Sequence, residues 1–467
     1  MGSPIFVPAS FPESIFQLSG DQNPLHLNVE YARSTPYGAC IAHGVGVFLL
    51  ALGQWLEGRA FCFDHLRLRF LRPLRCGQDV EVESSSQEDS FHLLVKNHRA
   101  EILRAHLRGH FEPQNFDWSP WRSRNGMGDV LRAVPPLEFT EGHFSSTLGW
   151  NPRQLPAHQL FFLLWSSFLV GMHYPGPQAL FGDLQVEFEP MATGDSIEFK
   201  VHHEDRFSLI RVSGQGSGIK NFQLTALERP RTQEPSLPWI EKKGEKLRAA
   251  FGGRKTLLTG GSRGLGQALR HLLLAAGSEV VSVQRSGASL GPKDKVLHQD
   301  LASAWNPEIL RHLHEVAPSV DQVILSARGP AEVLKLSETS FEPFIKGFGQ
   351  EFQTEFGLLF EILPLLKKGC RIVMLSTSFL EKEFPKGLAA YLAEKGAGEA
   401  LMRGLSLEYP ALDWQIRRCP PASTGMNLYP NHPVPIQKTD EVAFQILESL
   451  AKGAEPHPGH VNLVSLG

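Results

Sequence analysis

Asp21 and His26 stand on either side of an Asn23-Pro24 turn in the string SGDQNPLHLN. Such a turn can bring a carboxylate and an imidazole onto one side of a loop, close enough to share a water. Further along, Ala42-His43-Gly44 opens the apolar run GVFLLALGQWL. Its length and leucine content predict a buried helix with free N–H groups at its amino end. A carboxylate, an imidazole and an N–H donor are together what a 3-hydroxyacyl thioester needs to lose water, or an enoyl thioester to gain it. The enolate that forms as the α proton leaves must be stabilised by donors aimed at the thioester oxygen, and Gly44 lets backbone and substrate approach closely. Asp21 and His26 are expected to move the protons and the water. His43, at the start of the expected helix, reads as a capping or packing residue and stands outside this set.

A second constellation lies toward the carboxyl end. From Lys255, the run KTLLTGGSRGLGQALRHLLLAAGSEVVSVQRSG reads as an apolar strand, a glycine turn, a helix and a second apolar strand. This is the context in which a glycine triplet implies a bound dinucleotide. Tyr391 and Lys395 form an i, i+4 pair, which places a phenol and an ammonium on one helical face. This stretch resembles the short-chain dehydrogenase/reductase family, and the resemblance implies Tyr391 as proton donor to a carbonyl oxygen and Lys395, which can lower the pKa of that phenol, as holder of the nicotinamide ribose. Arg263 lies inside the glycine turn. Arg285 follows the second strand, where an acidic residue would bond the ribose 2'-hydroxyl of NAD; an arginine there accepts a 2'-phosphate. NADPH is therefore the expected cofactor, and reduction the expected direction.

The elements that must position these residues exceed one core. A chain of 467 residues predicts about three domains. The net charge of -3 gives no basic field for nucleic acid. Cys40, Cys62, Cys76, Cys370 and Cys419 are scattered, which favours reduced thiols and a cytoplasmic location. LFFLLWSSFLVGM, from Leu160, is shorter than the roughly twenty residues of a membrane span. The start, MGSPIFVPAS, has no signal core, and no metal is expected.

After the first helix, the runs FCFDHLRLRF, DVEVESS, FHLLVKN and ILRAHLRGHF read as antiparallel strands wrapping a helix. Arg67 and Arg69 alternate with leucines and read as a solvated strand face, with a cationic track for phosphates as the functional alternative. Residues 112–136, rich in Trp, Pro, Asn and Gly, read as a linker. The chain then repeats itself: AHQLFFLLWSSFLVG answers AHGVGVFLLALGQWL, and QVEFEPMATGDSIEF answers RLRFLRPLRCGQDVEV. Where the first copy has SGDQNPLH the second has SSTLGWNPRQ, so the second is expected to complete an acyl pocket, His158 contributing no chemistry. ERPRTQEPSLPWIEKKGEKLRAAFGG shows no long apolar face and reads as a second linker.

The core Ser19-Gly20-Asp21-x-Asn23-Pro24-x-His26, followed by IAHG, resembles the (R)-specific enoyl thioester hydratase and dehydratase family, the MaoC-like hotdog enzymes. The resemblance implies that Asp21 and His26 are the catalytic pair and that Gly44 supplies the oxyanion N–H. Thr259-Gly260-x-x-x-Gly264-x-Gly266 is similar to the short-chain dehydrogenase/reductase family. That resemblance assigns Thr259, Gly260, Ser262, Arg263, Gly264, Leu265, Gly266, Arg285 and Lys395 to the nucleotide, with Asp300 and Leu301 where the family caps the adenine. The family's serine, roughly thirteen residues before the tyrosine, selects Ser378, whereas matching the strand residue by residue selects Thr377; Ser378 is preferred. Three departures stand out. VILSARG replaces the usual Asn-Asn-Ala-Gly, Pro420-Pro421 replaces a proline-glycine, and the additional asparagine has no counterpart, with Glu351 or Gln353 in its neighbourhood.

The resemblances imply an α+β double hotdog followed by an α/β Rossmann domain with a doubly wound parallel sheet. The expected boundaries are 1–114 for the hotdog with the catalytic loop, 115–232 for a degenerate second hotdog, 233–252 for a linker and 253–467 for the reductase-like domain. The implied substrate is an acyl thioester on coenzyme A or an acyl carrier protein, and the Rossmann domain admits a homo-oligomer. Two rivals remain: the same pair run backwards in degradation, and an acyl-binding scaffold with a pseudo-reductase.

Overall fold

The computed structural model describes residues 3–116, 140–191, 197–216, 218–229, 236–329, 335–381, 386–424, 436–453 and 459–466. The expected linker at 112–136 falls largely outside them. The chain divides into two compact units, Met1–Arg231 and a second that begins at Thr232.

The first unit holds nine described strands, β1 (Ile5–Val7), β2 (Ala60–Phe70), β3 (Gln78–Gln87), β4 (Ser90–Asn97), β5 (Ala100–Glu112), β6 (Ala179–Phe188), β7 (Ile197–Glu204), β8 (Leu209–Gly216) and β9 (Ile219–Glu228). They form one antiparallel sheet in the order β1-β3-β4-β5-β2-β6-β9-β8-β7. The two halves repeat one plan. A long apolar helix, Gly44–Leu56 or Ala157–Met172, precedes a first strand that pairs with the last strand of its own half, and the two first strands, β2 and β6, pair with each other. Both helices are apolar almost all round, so both are buried. They sit in one continuous core with the inward positions of the strands. Outward positions are polar, and Arg67 and Arg69 both reach Asp183 on β6, at 3.3 and 3.4 Å.

The second unit is built on seven parallel strands, β10 (Lys255–Thr259), β11 (Glu279–Gln284), β12 (Asp294–His298), β13 (Gln322–Leu325), β14 (Arg371–Thr377), β15 (Asp413–Cys419) and β16 (Val461–Ser465), in the order β12-β11-β10-β13-β14-β15-β16. Their near-continuous apolar runs are those of strands covered on both faces. Residues 233–252, expected as a linker, contain instead the helix Leu237–Phe251, which buries Ile240, Gly244, Leu247 and Phe251. Its apolar stripe is one residue wide and interrupted by Gly244, so the charged residues between disguised it. The glycine is what lets the helix close up, since a Cβ there would fall 2.4 Å from that of Ala275. No helix among the described residues is long and apolar enough to cross a membrane.

Candidate active sites

In the first unit, Gly20 ends the helix Phe11–Ser19 in the left-handed conformation, φ 76°, and turns the chain into the loop bearing Asp21. Asn23 then caps the short helix Pro24–Leu27 by accepting from the N–H of Leu25 at 3.0 Å, which brings His26 round onto the same side as Asp21. His26 Nδ1 lies 2.8 Å from the carbonyl oxygen of Ile41. A carbonyl can only accept, so Nδ1 carries the hydrogen and Nε2 is the working nitrogen.

Asp21 is 2% exposed. One carboxylate oxygen accepts from the N–H of Asn23 at 3.1 Å and the other from Ser167 Oγ at 2.8 Å. Burial pushes the Asp21 carboxyl up, against the pull of His26, Ser167 and Asn23. Burial also pushes His26 down, against Asp21. Both groups are therefore biased toward their neutral forms, which suits a pair that exchanges protons near neutral pH.

His43 proves to be more than a packing residue. It precedes the helix Gly44–Leu56 without making a side-chain cap. Its ring stacks on that of His26, with centroids 3.8 Å apart and planes at 29°, and its Nε2 lies 3.2 Å from the Asp21 carbonyl oxygen and 3.8 Å from the carboxylate. Burial holds it well below the usual imidazole range, so it is neutral. Asp21, His26 and His43 each place a ligand-type atom within 4.8 Å of the others.

Gly44 is the first residue of its helix, where N–H groups have no intrahelical partner. A Cβ there would lie 2.6 Å from the Phe70 ring, so a larger residue would have to displace that ring.

The second half of the unit supplies what the local motif could not reveal. Ser167 and Gly171 come from the helix Ala157–Met172, and a Cβ at 171 would fall 2.0 Å from Asp21 Oδ1, so the carboxylate lies directly on that helix. The counterpart of Gly44 is Gln159. Its amide accepts from the Phe63 N–H at 3.0 Å and donates to the Phe63 carbonyl at 2.8 Å, plugging the sheet at the β2 irregularity. His158 points elsewhere, its Nε2 3.2 Å from the Glu189 carbonyl. These placements give opposite expectations for two substitutions. Ser167→Ala removes a bond to a buried carboxylate and should lower hydration of a 2-enoyl thioester by roughly tenfold, the equivalent of about 1.5 kcal/mol for a hydrogen bond to a charged group. His158→Ala should leave turnover nearly intact; steady-state hydration kinetics on the two proteins check both.

In the second unit, the glycine turn follows β10 and opens the helix Gly264–Ala275. Gly260 and Gly264 are left-handed, at φ 76° and 56°, and a Cβ on Gly266 would fall 2.2 Å from the Gly260 carbonyl oxygen. The helix N–H groups therefore open onto a glycine-rich turn, the kind of backbone a bound pyrophosphate requires. Thr259 Oγ1 accepts from the N–H groups of Ser326 and Ala327 at 2.9 and 3.0 Å, tying the turn to the end of β13. Ser262 and Leu265 are half-buried along the turn, with Arg263 at the helix cap. Arg285 is exposed just past β11. Asp300 accepts from the N–H of Ala302 at 3.1 Å, and Leu301 is buried.

Tyr391 and Lys395 lie on the helix Ala389–Glu408. Tyr391 packs against Phe379, Leu388 and Leu392, the cluster that also includes the short helix Ser378–Leu380. Thr377 caps that helix, accepting from the Phe379 N–H at 3.3 Å, and Ser378 is its first residue. Lys395 is not free. Its Nζ donates to Glu355 at 2.6 Å and to the Leu375 carbonyl at 2.9 Å. Burial, the largest single influence, would lower it, but the Glu355 carboxylate and Tyr391 together keep it above the usual lysine range. Arg328, in the altered VILSARG segment, lies 4.3 Å from the centre of the Tyr391 ring and holds Glu394 through two bonds at 3.1 and 2.6 Å. Glu351 accepts from the Gly329 N–H at 2.8 Å. Two of the three departures noted in the sequence, the VILSARG segment and the Glu351 neighbourhood, thus meet through the Gly329–Glu351 bond.

Residues 14–101 match the family described as MaoC like domain. Over 89 residues the chain is 35% identical to the 3-hydroxybutyryl-CoA dehydratase of Methylorubrum extorquens, a match to 18% of this chain and 54% of that protein. The chain thus spans about half the length of that relative. Over 202 residues it is 28% identical to the uncharacterized oxidoreductase YghA of Escherichia coli K12, covering 38% of this chain and 68% of that one. Among solved structures, a short chain dehydrogenase from Burkholderia cenocepacia in complex with NADP aligns with a TM-score of 0.39 and 20% identity, over 46% of this chain and 89% of that one.

Proposed function

We propose that this chain is a bifunctional acyl-thioester enzyme that reduces a 3-ketoacyl thioester with NADPH and dehydrates the resulting 3-hydroxyacyl thioester, the second step running reversibly as enoyl hydration. The observation that carries the reading is the pairing of a buried Asp21 with a half-buried His26 beside the free helix start at Gly44. We read the first unit as two hotdogs in tandem, the second having lost its own site to Gln159 and lent Ser167 to the first.

For hydration, His26 Nε2 takes a proton from water as the oxygen attacks the β carbon, and Asp21 delivers a proton to the α carbon. The N–H of Gly44 receives the negative charge on the thioester oxygen. Dehydration reverses these steps.

For reduction, the turn from Thr259 to Gly266 would hold the pyrophosphate of NADPH, and Asp300 and Leu301 would flank its adenine. NADPH supplies a hydride when bound. Tyr391 gives its hydroxyl proton to the carbonyl oxygen, Ser378 orients that oxygen, and Lys395 stabilises the phenolate. Arg285 is the expected 2'-phosphate partner, so Arg285→Asp should weaken NADPH and spare NADH, as read by titration calorimetry with each nucleotide. NADH preferred several-fold by the unmodified protein would favour the degradative direction instead.

A second reading, an acyl-binding protein with a silent reductase, draws on the Lys395–Glu355 pair, which occupies the ammonium. One experiment separates the two. A 3-ketoacyl thioester with NADPH should lose absorbance at 340 nm, the wavelength of reduced nicotinamide, and mass spectrometry of the acyl chain should then show loss of water. Failure to bind nucleotide sinks the reductive half.

A further inference from the structure

Arg229, the residue after β9, is 4% exposed and makes its side-chain bonds to neutral partners. Nη2 donates to Tyr31 Oη at 3.1 Å and to the Pro177 carbonyl at 2.9 Å, and Tyr31 Oη itself donates to Pro177 at 2.9 Å. Its Nε is buried with no partner, and no carboxylate pairs with it among the described residues. Burying an arginine without a counter-ion is costly, so the position calls for a reason beyond packing.

Two observations supply one. First, Tyr31 lies in the helix Val29–Arg33, directly after the segment with Asp21 and His26, while Pro177 lies in the short helix Gly176–Gln178 of the other half. Asn23 Nδ2 also donates to the Gly176 carbonyl, at 3.2 Å. Arg229 is therefore the charged member of a clasp joining the catalytic loop to the second half. Second, the positive charge of Arg229 acts on His26. The other groups that bear on that imidazole are the Asp21 carboxylate, the Ile41 carbonyl and the stacked, neutral His43.

We propose that Arg229 is a positioning residue of the hydration site, clasping the catalytic loop onto the second half of the unit and supplying the positive field in which His26 works. The inference rests on the hydration reading. Burial is the main influence that disfavours a protonated His26, the Asp21 carboxylate opposes it, and the Arg229 charge adds a smaller push in the same direction as burial, toward the neutral base that water activation needs.

The test is the pH profile of 2-enoyl-CoA hydration for Arg229→Gln, Arg229→Lys and Tyr31→Phe in the full chain. Arg229→Gln removes charge and clasp. It should lower kcat on the order of tenfold or more, as a loosened catalytic geometry does, and move the acid limb to higher pH because His26 then protonates more readily. Arg229→Lys keeps the charge and should keep the limb in place. Tyr31→Phe removes a clasp hydroxyl without touching charge, so kcat should fall while the limb stays. An unmoved limb in Arg229→Gln overturns the field; wild-type kcat in Tyr31→Phe overturns the clasp even if the glutamine variant does not fold. An NMR titration of the His26 ring, assigned with His26→Ala, reads the field without activity. If the wild-type protein hydrates nothing yet this titration still moves upward in Arg229→Gln, the hydration reading fails and the field stands.

Discussion

Asp21→Asn and His26→Ala should each remove most of the hydration of a 2-enoyl thioester, a loss on the order of 10² to 10⁴-fold for a positioned acid or base. The asparagine change is the cleaner of the two. Its amide can keep one oxygen on the Asn23 N–H and turn its nitrogen toward Ser167 Oγ, so the loop stays in place while the transferable proton is lost. His26→Ala also removes a ring stacked on His43 and a bond to Ile41, and some loosening of the loop adds to the chemical loss. NADPH-dependent reduction should survive both. In the unmodified protein the acid limb of kcat/KM should lie below the usual imidazole value of about 6.5, because burial lowers His26 and a base is active only above its own pKa. Wild-type hydration rates in both variants would place the site elsewhere.

The first site was legible because its chemistry is local. One turn carries Asp21 and His26, and one helix start carries Gly44, so spacing alone could join them. Ser167 meets Asp21 across 146 positions of sequence, and Arg229 reaches Tyr31 across 198. No local pattern encodes such meetings; they exist only once β2 and β6 pair and bring the two halves together. His43 differs from its expected capping role for another reason. A histidine before a helix commonly caps it, but this side chain turns back onto Asp21 and His26, a choice made by tertiary packing and not by helix propensity. The same limit applied to the helix Leu237–Phe251, whose buried face is a thin stripe that only Ala275 and its neighbours make sense of. In the second unit the glycine turn and the Tyr391–Lys395 pair stood out, yet the VILSARG segment and Glu351 read as separate departures, and Glu355 and Glu394 drew no notice. Arg328, Glu394, Glu351, Glu355 and Lys395 become one network only when β13 and two helices converge.

That network decides how the remaining prediction must be made. Tyr391→Phe should abolish reduction of a 3-ketoacyl thioester while leaving NADPH binding intact, and the structure makes this an unusually specific deletion. Phenylalanine keeps the ring on which the Arg328 guanidinium lies, so the cation–π contact and the Arg328–Glu394 pair survive, and the packing against Leu388 and Leu392 is unchanged. Only the hydroxyl, the proposed proton donor, is lost, and the expected fall in kcat is at least on the order of 10²-fold. Lys395→Ala would be a poorer test. It would strand Glu355 as a buried charge without its partner, at a cost of about 3–5 kcal/mol, and confuse lost chemistry with lost stability. The measurement is therefore a pair on one protein: nucleotide affinity by fluorescence or calorimetry, and turnover by absorbance. Intact affinity with lost turnover assigns Tyr391 its role. Unchanged turnover in Tyr391→Phe would mean that another group protonates the carbonyl, and no turnover in the unmodified protein despite tight NADPH binding would mean that Glu355 holds Lys395 out of service.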